Sequence, residues 1–248
     1  MLLNERWAYL VLTIPFLTIW VILYSLANKE TRKYQLLRSL VGMFLGVLSE
    51  TLYFSDYWYP QSVFSFYAFS IPVLLEDILF GFSAVGIAST CYETLCKKKR
   101  TRVNTLSTTR KIFIMVGIGL MIYCASLILC GVTGINSIFS TAGIMFVFSL
   151  IILAERPDLL RPALFTSSVF LGLLFFIYSL GFLIFTNAEQ ILMDWWALYQ
   201  HPFGIRIMNI PISEMVWAWC FGFSSVTLYS GATGVYFLPQ SRLFYSVL

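Results

Sequence analysis

Residues 112–154, IFIMVGIGLMIYCASLILCGVTGINSIFSTAGIMFVFSLIILA, contain no Asp, Glu, Lys or Arg. A helix needs about 20 apolar residues to cross the hydrocarbon core, so the stretch is long enough for two. The Gly-Val-Thr-Gly-Ile-Asn segment at 131–136 supplies the turn between them. The run is continuously apolar rather than alternating, which favours helices over barrel strands. Charge-free runs recur outward from it at 7–28, 162–188 and 215–241. The whole chain agrees: of 248 residues 59% are hydrophobic and 11% charged, with a mean hydropathy of +0.81. Soluble domains carry about 25% charged residues, so a soluble globule is excluded. No polar stretch is long enough for a second domain. The sequence predicts an all-α polytopic protein, one transmembrane domain over 1–248, with seven helices at about 7–26, 37–54, 71–95, 112–131, 137–154, 162–186 and 210–237. The first run is of spanning length and lacks a basic leader, so it reads as a retained helix rather than a cleaved signal.

Basic residues favour the cytoplasmic side of short loops. With seven spans, Lys29, Arg32, Lys33, Arg38, Lys97, Lys98, Lys99, Arg100, Arg102, Arg110, Lys111, Arg156, Arg161 and Arg242 fall in one set of loops. Only Arg6 and Arg206 fall in the other. The expectation is a multi-pass plasma (inner) membrane protein, N-terminus outside and C-terminus cytoplasmic. The net charge of +4 then reports topology and contact with membrane lipid, not nucleic acid. Cys91, Cys96, Cys124, Cys130 and Cys220 have no paired metal spacing, so no metal site is expected.

The chain repeats itself weakly. Asp56-Tyr57-Trp58 precedes the third span and Asp194-Trp195-Trp196 the seventh. Ser70-Ile71-Pro72 and Asn209-Ile210-Pro211 read as helix starts, a capping residue followed by proline in the first turn. Asp77, Phe80, Phe82 and Tyr92 then recur with the same spacing as Glu214, Trp217, Trp219 and Tyr229. Two copies, at about 1–96 and 132–240, joined by one helix at about 97–131, give a 3+1+3 parallel duplication about an axis along the membrane normal. The third and seventh helices become equivalent, with their acids at one depth.

Glu50, Glu76, Asp77 and Glu214 lie inside spans, toward the outer half. An ionised group there is costly, on the order of 2.5–3.5 kcal/mol on the gentler insertion scale. Burial and like-charged neighbours both favour the protonated acid, so at least one of these carboxyls is expected to be neutral at pH 7 and able to donate a proton. An interhelical polar clamp is the plainer alternative. Glu93 reads as a salt-bridged boundary residue, and Asp56 and Asp194 as loop-folding residues. Phe80, Phe82, Trp217 and Trp219, one or two turns below the acids, suit either helix packing or an aromatic pocket for a cation. Tyr57, Trp58, Tyr59, Trp195, Trp196 and Tyr199 fall at the boundary as an interfacial belt, with Trp58 and Trp196 as further candidate substrate contacts. Gly81, Ala84 and Ala88 form a packing seam or the wall of a groove for a long apolar chain.

These residues resemble the lycopene cyclase domain family, the integral-membrane carotenoid cyclases. The matching stretches are 56–64 (DYWYPQSVF), 76–82 (EDILFGF) and Tyr92-Glu93 in the first copy, and 209–217 (NIPISEMVW) and Tyr229 in the second. The resemblance implies conversion of the linear ψ ends of a polyene into β-type rings without net redox change. The chain departs from the family pattern at Ser213, where a paired acid is usual, and at Ser230, where Glu93 has its counterpart. Ring closure requires protonating a terminal alkene, stabilising a tertiary cation and removing another proton, hence an acid, a base, aromatic walls and exclusion of water. Glu76, Asp77, Glu214 and Glu50 are the candidate acid and base. Phe80, Phe82, Trp217 and Trp219 would face the cation, and Tyr92 and Tyr229 would guide the chain. No dinucleotide-binding G-x-G-x-x-G unit is evident, so no cofactor is expected. The expected partners are a long apolar polyene or isoprenoid substrate and membrane lipid; carotenoid-pathway enzymes or a homo-oligomer are left open. A proton-coupled transporter and a non-catalytic carotenoid- or lipid-binding protein are the alternatives. A retinal protein needs a lysine within a span, and all six lysines sit in or beside the basic loops. A prenyltransferase would need D-x-x-x-D clusters, and none occurs.

Overall fold

The computed structural model describes residues 5–68, 71–102, 106–185, 187–199 and 204–239. The chain is an all-α polytopic membrane protein. Its long helices are α1 (Ala8–Leu26), α2 (Lys29–Tyr53), α3 (Leu75–Leu95), α4 (Thr108–Thr133), α5 (Ser137–Glu155), α6 (Leu160–Ile184) and, after the short α7 (Ala188–Trp195), α8 (Ile212–Thr233). The first six of these are, by length and composition, apolar enough to cross a bilayer. α8 is 22 residues long but is interrupted by Glu214 and by Ser, Thr and Gly, because it is packed between α5 and α6 rather than bathed in lipid. Its polar residues are satisfied internally: Thr227 donates to Ser149 Oγ of α5 at 2.8 Å.

Local chemistry sets the helix ends. Asn28, Ser107 and Asn136 cap α2, α4 and α5, accepting from Thr31, Arg110 and Ile138 backbone N–H groups at 3.0, 3.2 and 3.2 Å. α4 stops at Gly134, whose φ of 69° is the left-handed value glycine adopts freely, within the turn the sequence pattern marked. The first basic cluster is not a loop. α2 begins at Lys29, so Lys29, Arg32 and Lys33 ride on its first turns, and Arg32 reaches back to the Ser25 and Ala27 carbonyls at 2.7 and 2.9 Å. Arg38, counted from sequence as a loop cation, is buried in the bundle.

The helix starts at residues 70–72 and 209–211 require correction. Ser70 lies outside the described residues. Ile71 and Pro72 belong to β2 (Ile71–Leu74), paired antiparallel with β1 (Ser65–Ala68). Ile210 and Pro211 form β5, paired with β4 (Arg206–Ile207) across a turn in which Met208 and Asn209 have φ of 50° and 66°. Proline lacks a donor and fits such short edge strands. α3 and α8 therefore start after these hairpins, without a side-chain cap.

α3 lies along α2 and α1, and α8 along α6 and α5. The α2–α3 seam is close: a Cβ on Gly46 would meet the Asp77 carbonyl at 2.8 Å, and one on Gly81 the Gly42 carbonyl at 2.5 Å. Small residues let the backbones approach in this way. At the opposite end from the acids, β3 (Lys98–Arg102) pairs antiparallel with β6 (Val235–Pro239). Beneath them Arg100 holds Glu93 through Nη2 to Oε1 at 2.8 Å and Nε to Oε2 at 3.1 Å, as the boundary reading of Glu93 expects.

Candidate functional site

Asp77 stands on the first turn of α3, Glu50 on the last turn of α2 and Glu214 on the first turn of α8. All three are buried and line one cavity of about 60 Å³, together with Tyr9, Tyr53, Tyr57, Trp58, Phe80, Tyr178 and Trp217. Tyr9 Oη donates to Asp77 Oδ1 at 2.6 Å. Tyr57 Oη donates to Glu214 Oε1 at 2.7 Å and is 2.9 Å from Ser213 Oγ, while Trp196 Nε1 donates to the same Glu214 oxygen at 3.0 Å. Asp77 Oδ2 and Glu50 Oε2 are buried without a hydrogen-bond partner among the described residues. One Glu214 oxygen thus meets two donors and one Asp77 oxygen meets a single one.

Glu76 does not join them. Consecutive helix residues point about 100° apart, so the two acids enter different surroundings, and Glu76, although fully buried, does not line the cavity. Glu76 accepts from Ser62 Oγ at 2.5 Å and from Val63 N–H at 3.0 Å, tying down the segment that leads into β1. Asp56 likewise folds a loop. Its carboxylate takes Ser137 N–H at 2.9 Å and Ser137 Oγ at 2.5 Å at the start of α5.

The aromatic residues divide by helix face. Phe80 and Trp217 come within 6.2 Å, centroid to centroid, at the cavity floor. Phe82 turns to Trp20 of α1, and Trp219 stacks with Phe223 and meets Phe146 of α5. These two are two residues from Phe80 and Trp217, hence about 200° round the helix, and serve the packing between helices. The tryptophans read as an interfacial belt form a lid instead. Trp58 and Trp196 pair as an isolated bridge with rings 4.3 Å apart, and Trp195 is fully buried beside them. Backbone bonds from Tyr59 to Trp195 at 2.9 Å and from Ala197 to Tyr57 at 3.0 Å fasten the two segments. Burial, and then the adjacent Glu214 charge, hold the Tyr57 phenol well above its ordinary pKa, so it remains a donor.

Below Phe80 and Trp217 the cavity passes into an apolar groove. One chamber of about 150 Å³ shares Gly46, Ser49, Tyr53, Phe80 and Trp217 with the acid cavity and is walled by Gly81 and Ala84. A further chamber of about 120 Å³ shares Leu45, Val85, Gly119, Ile122, Met145 and Phe221 with it and ends at Arg38 and Tyr229. Tyr92 is not on this path; it packs against Phe165 and Phe237. Sequence reasoning did not single out Tyr9, Tyr53 or Tyr178. Their one signal was a phenol within an otherwise apolar run, where a polar tip needs a partner.

The family model described as lycopene cyclase matches residues 5–95 and 136–232, which include every residue of the acid cavity. No curated relative and no solved structure matches the chain.

Proposed function

The chain belongs to the lycopene cyclase family, and on that premise we propose that it closes a ring on the linear end of a carotenoid or related isoprenoid. The observation that carries this reading is the convergence of Asp77, Glu50 and Glu214 on one lidded cavity that continues into an apolar groove. The protonated member of the Asp77–Glu50 pair gives its proton to the terminal alkene. The resulting tertiary cation is attacked by a second alkene of the same chain, closing a six-membered ring and moving the positive charge to another tertiary carbon. Glu214, held by Tyr57 and Trp196, takes a proton from the carbon beside that centre and leaves the ring alkene. One proton enters and one leaves, so product and substrate are isomers and no redox partner is needed. Phe80, Trp217 and Tyr53 line the cavity and supply aromatic surroundings that stabilise the cation. The tryptophan lid keeps out water, which would otherwise trap the cation as an alcohol. Phe82, Trp219 and Tyr92 act at a distance by fixing the helices.

Expression in a bacterium that accumulates lycopene, followed by pigment chromatography, tests this. Monocyclic or bicyclic carotene is expected from the wild type and is lost in Asp77→Asn and Glu214→Gln. Unchanged lycopene despite normal membrane content would exclude this substrate. Cyclisation persisting in both amide variants would exclude the assigned chemistry.

A further inference from the structure

The end of the groove opposite the acids is not apolar. Arg38, on α2, is 3% exposed and lines the last chamber. Its Nη1 donates to the Ser89 carbonyl at 3.0 Å, and its guanidinium carbon lies 3.8 Å from the Tyr229 ring centroid. Nε and Nη2 are both buried with no partner at hydrogen-bonding geometry among the described residues. Tyr229 and, further off, the Glu93 charge offset part of the cost of burying Arg38, whereas the chamber's serines are turned elsewhere: Ser224 and Ser225 donate to the Phe221 carbonyl at 3.1 and 2.7 Å, and Ser89 Oγ to the Gly86 carbonyl at 3.1 Å. An arginine buried with donors unmet is destabilising unless something completes it, and a purely hydrocarbon occupant cannot.

We propose that Arg38 recognises an oxygen, carboxylate or hydroxyl, at the far end of the substrate, so that this chain prefers a linear isoprenoid polar at the end not cyclised over a hydrocarbon such as lycopene. The inference rests on the cyclase reading for the orientation of the substrate. Residues 38 and 50 are 12 positions apart on one helix, about 18 Å along its axis. The extended main chain of an acyclic diterpenoid acid or alcohol spans about that length, with its terminal alkene beside Asp77 and Glu50 and its oxygen at Arg38. A linear tetraterpene would instead place mid-chain hydrocarbon against the guanidinium.

The probes are an all-trans acyclic diterpenoid polyene acid, the corresponding alcohol and the hydrocarbon of equal length. Binding to the purified full chain in phospholipid vesicles is read by quenching of its tryptophan fluorescence, and cyclisation separately by chromatography. The wild type is expected to bind the acid at least about tenfold more tightly than the hydrocarbon, the scale of a hydrogen bond to a charged group. In Arg38→Met the ratio falls to near one, and in Arg38→Lys, which keeps the charge and loses the fork, it is intermediate. The alcohol separates the two oxygen chemistries: if it matches the acid, hydrogen bonding suffices, and if it matches the hydrocarbon, charge is required. Equal binding of all three probes by the wild type overturns the proposal, as does a preference that survives in Arg38→Met. Should Arg38→Met fail to accumulate, Arg38→Lys and the wild-type ratio decide alone. Cyclised lycopene with no probe preference would leave the cyclase reading standing and remove this one; a preference without any ring closure would do the reverse.

Discussion

Glu76 and Asp77 are adjacent acids with different work, and only the sense of the helix separates them. Asp77 faces Glu50 and Glu214 across the cavity, whereas Glu76 holds Ser62 and Val63. The sequence makes both acids conspicuous but cannot say which faces inward, because the start of α3 is set by a hairpin that carries no strong pattern. Glu76→Gln is therefore expected to reduce ring formation only a few-fold, through a looser approach to β1, while Asp77→Asn abolishes it; equal losses would place Glu76 in the chemistry. Tyr9→Phe keeps the packing against Trp58 and Trp195 but removes the donor to Asp77 Oδ1. Leaving that buried oxygen without its donor costs about 1–3 kcal/mol, so the unfolding temperature should fall together with turnover, turnover by about tenfold. The raised Tyr57 pKa has a defined sign. A phenol whose folded-state value exceeds the ordinary one, about 10, contributes stability that is complete below that pH and is lost as pH climbs further. Tyr57 thus stays a neutral donor throughout the working range. A fall in rate centred between about pH 9 and 10 that disappears in Tyr57→Phe would contradict this.

At the scale of elements, the long helices were legible because their length and lack of charge leave no other solution in lipid. The hairpins before α3 and α8 were not, since two- and four-residue strands are too short to show a period, and an Ile-Pro pair reads equally well as a helix start. Nor was α7 legible, or the use of the tryptophans at its C-terminal end as a lid; burial of Trp195 and Trp196 depends on their meeting Trp58 from far along the chain. The α2–α3 seam positions the acids most directly, for Gly46 packs on the Asp77 carbonyl itself. Gly46→Val would force the helices apart just where Asp77 and Glu50 must share a cavity. Overpacking of this kind costs about 1–3 kcal/mol, so a lower unfolding temperature is expected together with a loss of ring formation larger than that of Gly143→Val, where an added Cβ meets none of the described residues within 4 Å. Equal activity in the two variants would show that the seam does not hold the site.

For the whole molecule, we infer that the chain is a parallel duplication with its basic end in the cytoplasm. The offset of 137 residues that relates Asp77 to Glu214 also relates Arg100 to Phe237, and these two pair at the centre of the β3–β6 ladder. At the other end Trp58 pairs with Trp196, its counterpart in the repeated motif. A residue that touches its own equivalent lies near a twofold axis. Two such contacts at opposite ends of the bundle therefore favour an axis running along the helices, and such an axis leaves corresponding ends of the two copies on the same side of the membrane. The charges then choose the side: Lys98, Lys99 and Arg100 fall at one end of α3, and the β1–β2 hairpin at the other contains none. In a cysteine-free background, Tyr67→Cys, at a position 78% exposed, should react with an impermeant maleimide on intact cells. Lys98→Cys should react only after permeabilisation. The reverse pattern would invert the orientation and leave the duplication intact. Reaction of both from outside would be more damaging, because only α3 separates the two positions; it would mean that the helix carrying Asp77 does not cross the membrane, and the acid cavity would lose the apolar depth at which a polyene could reach it.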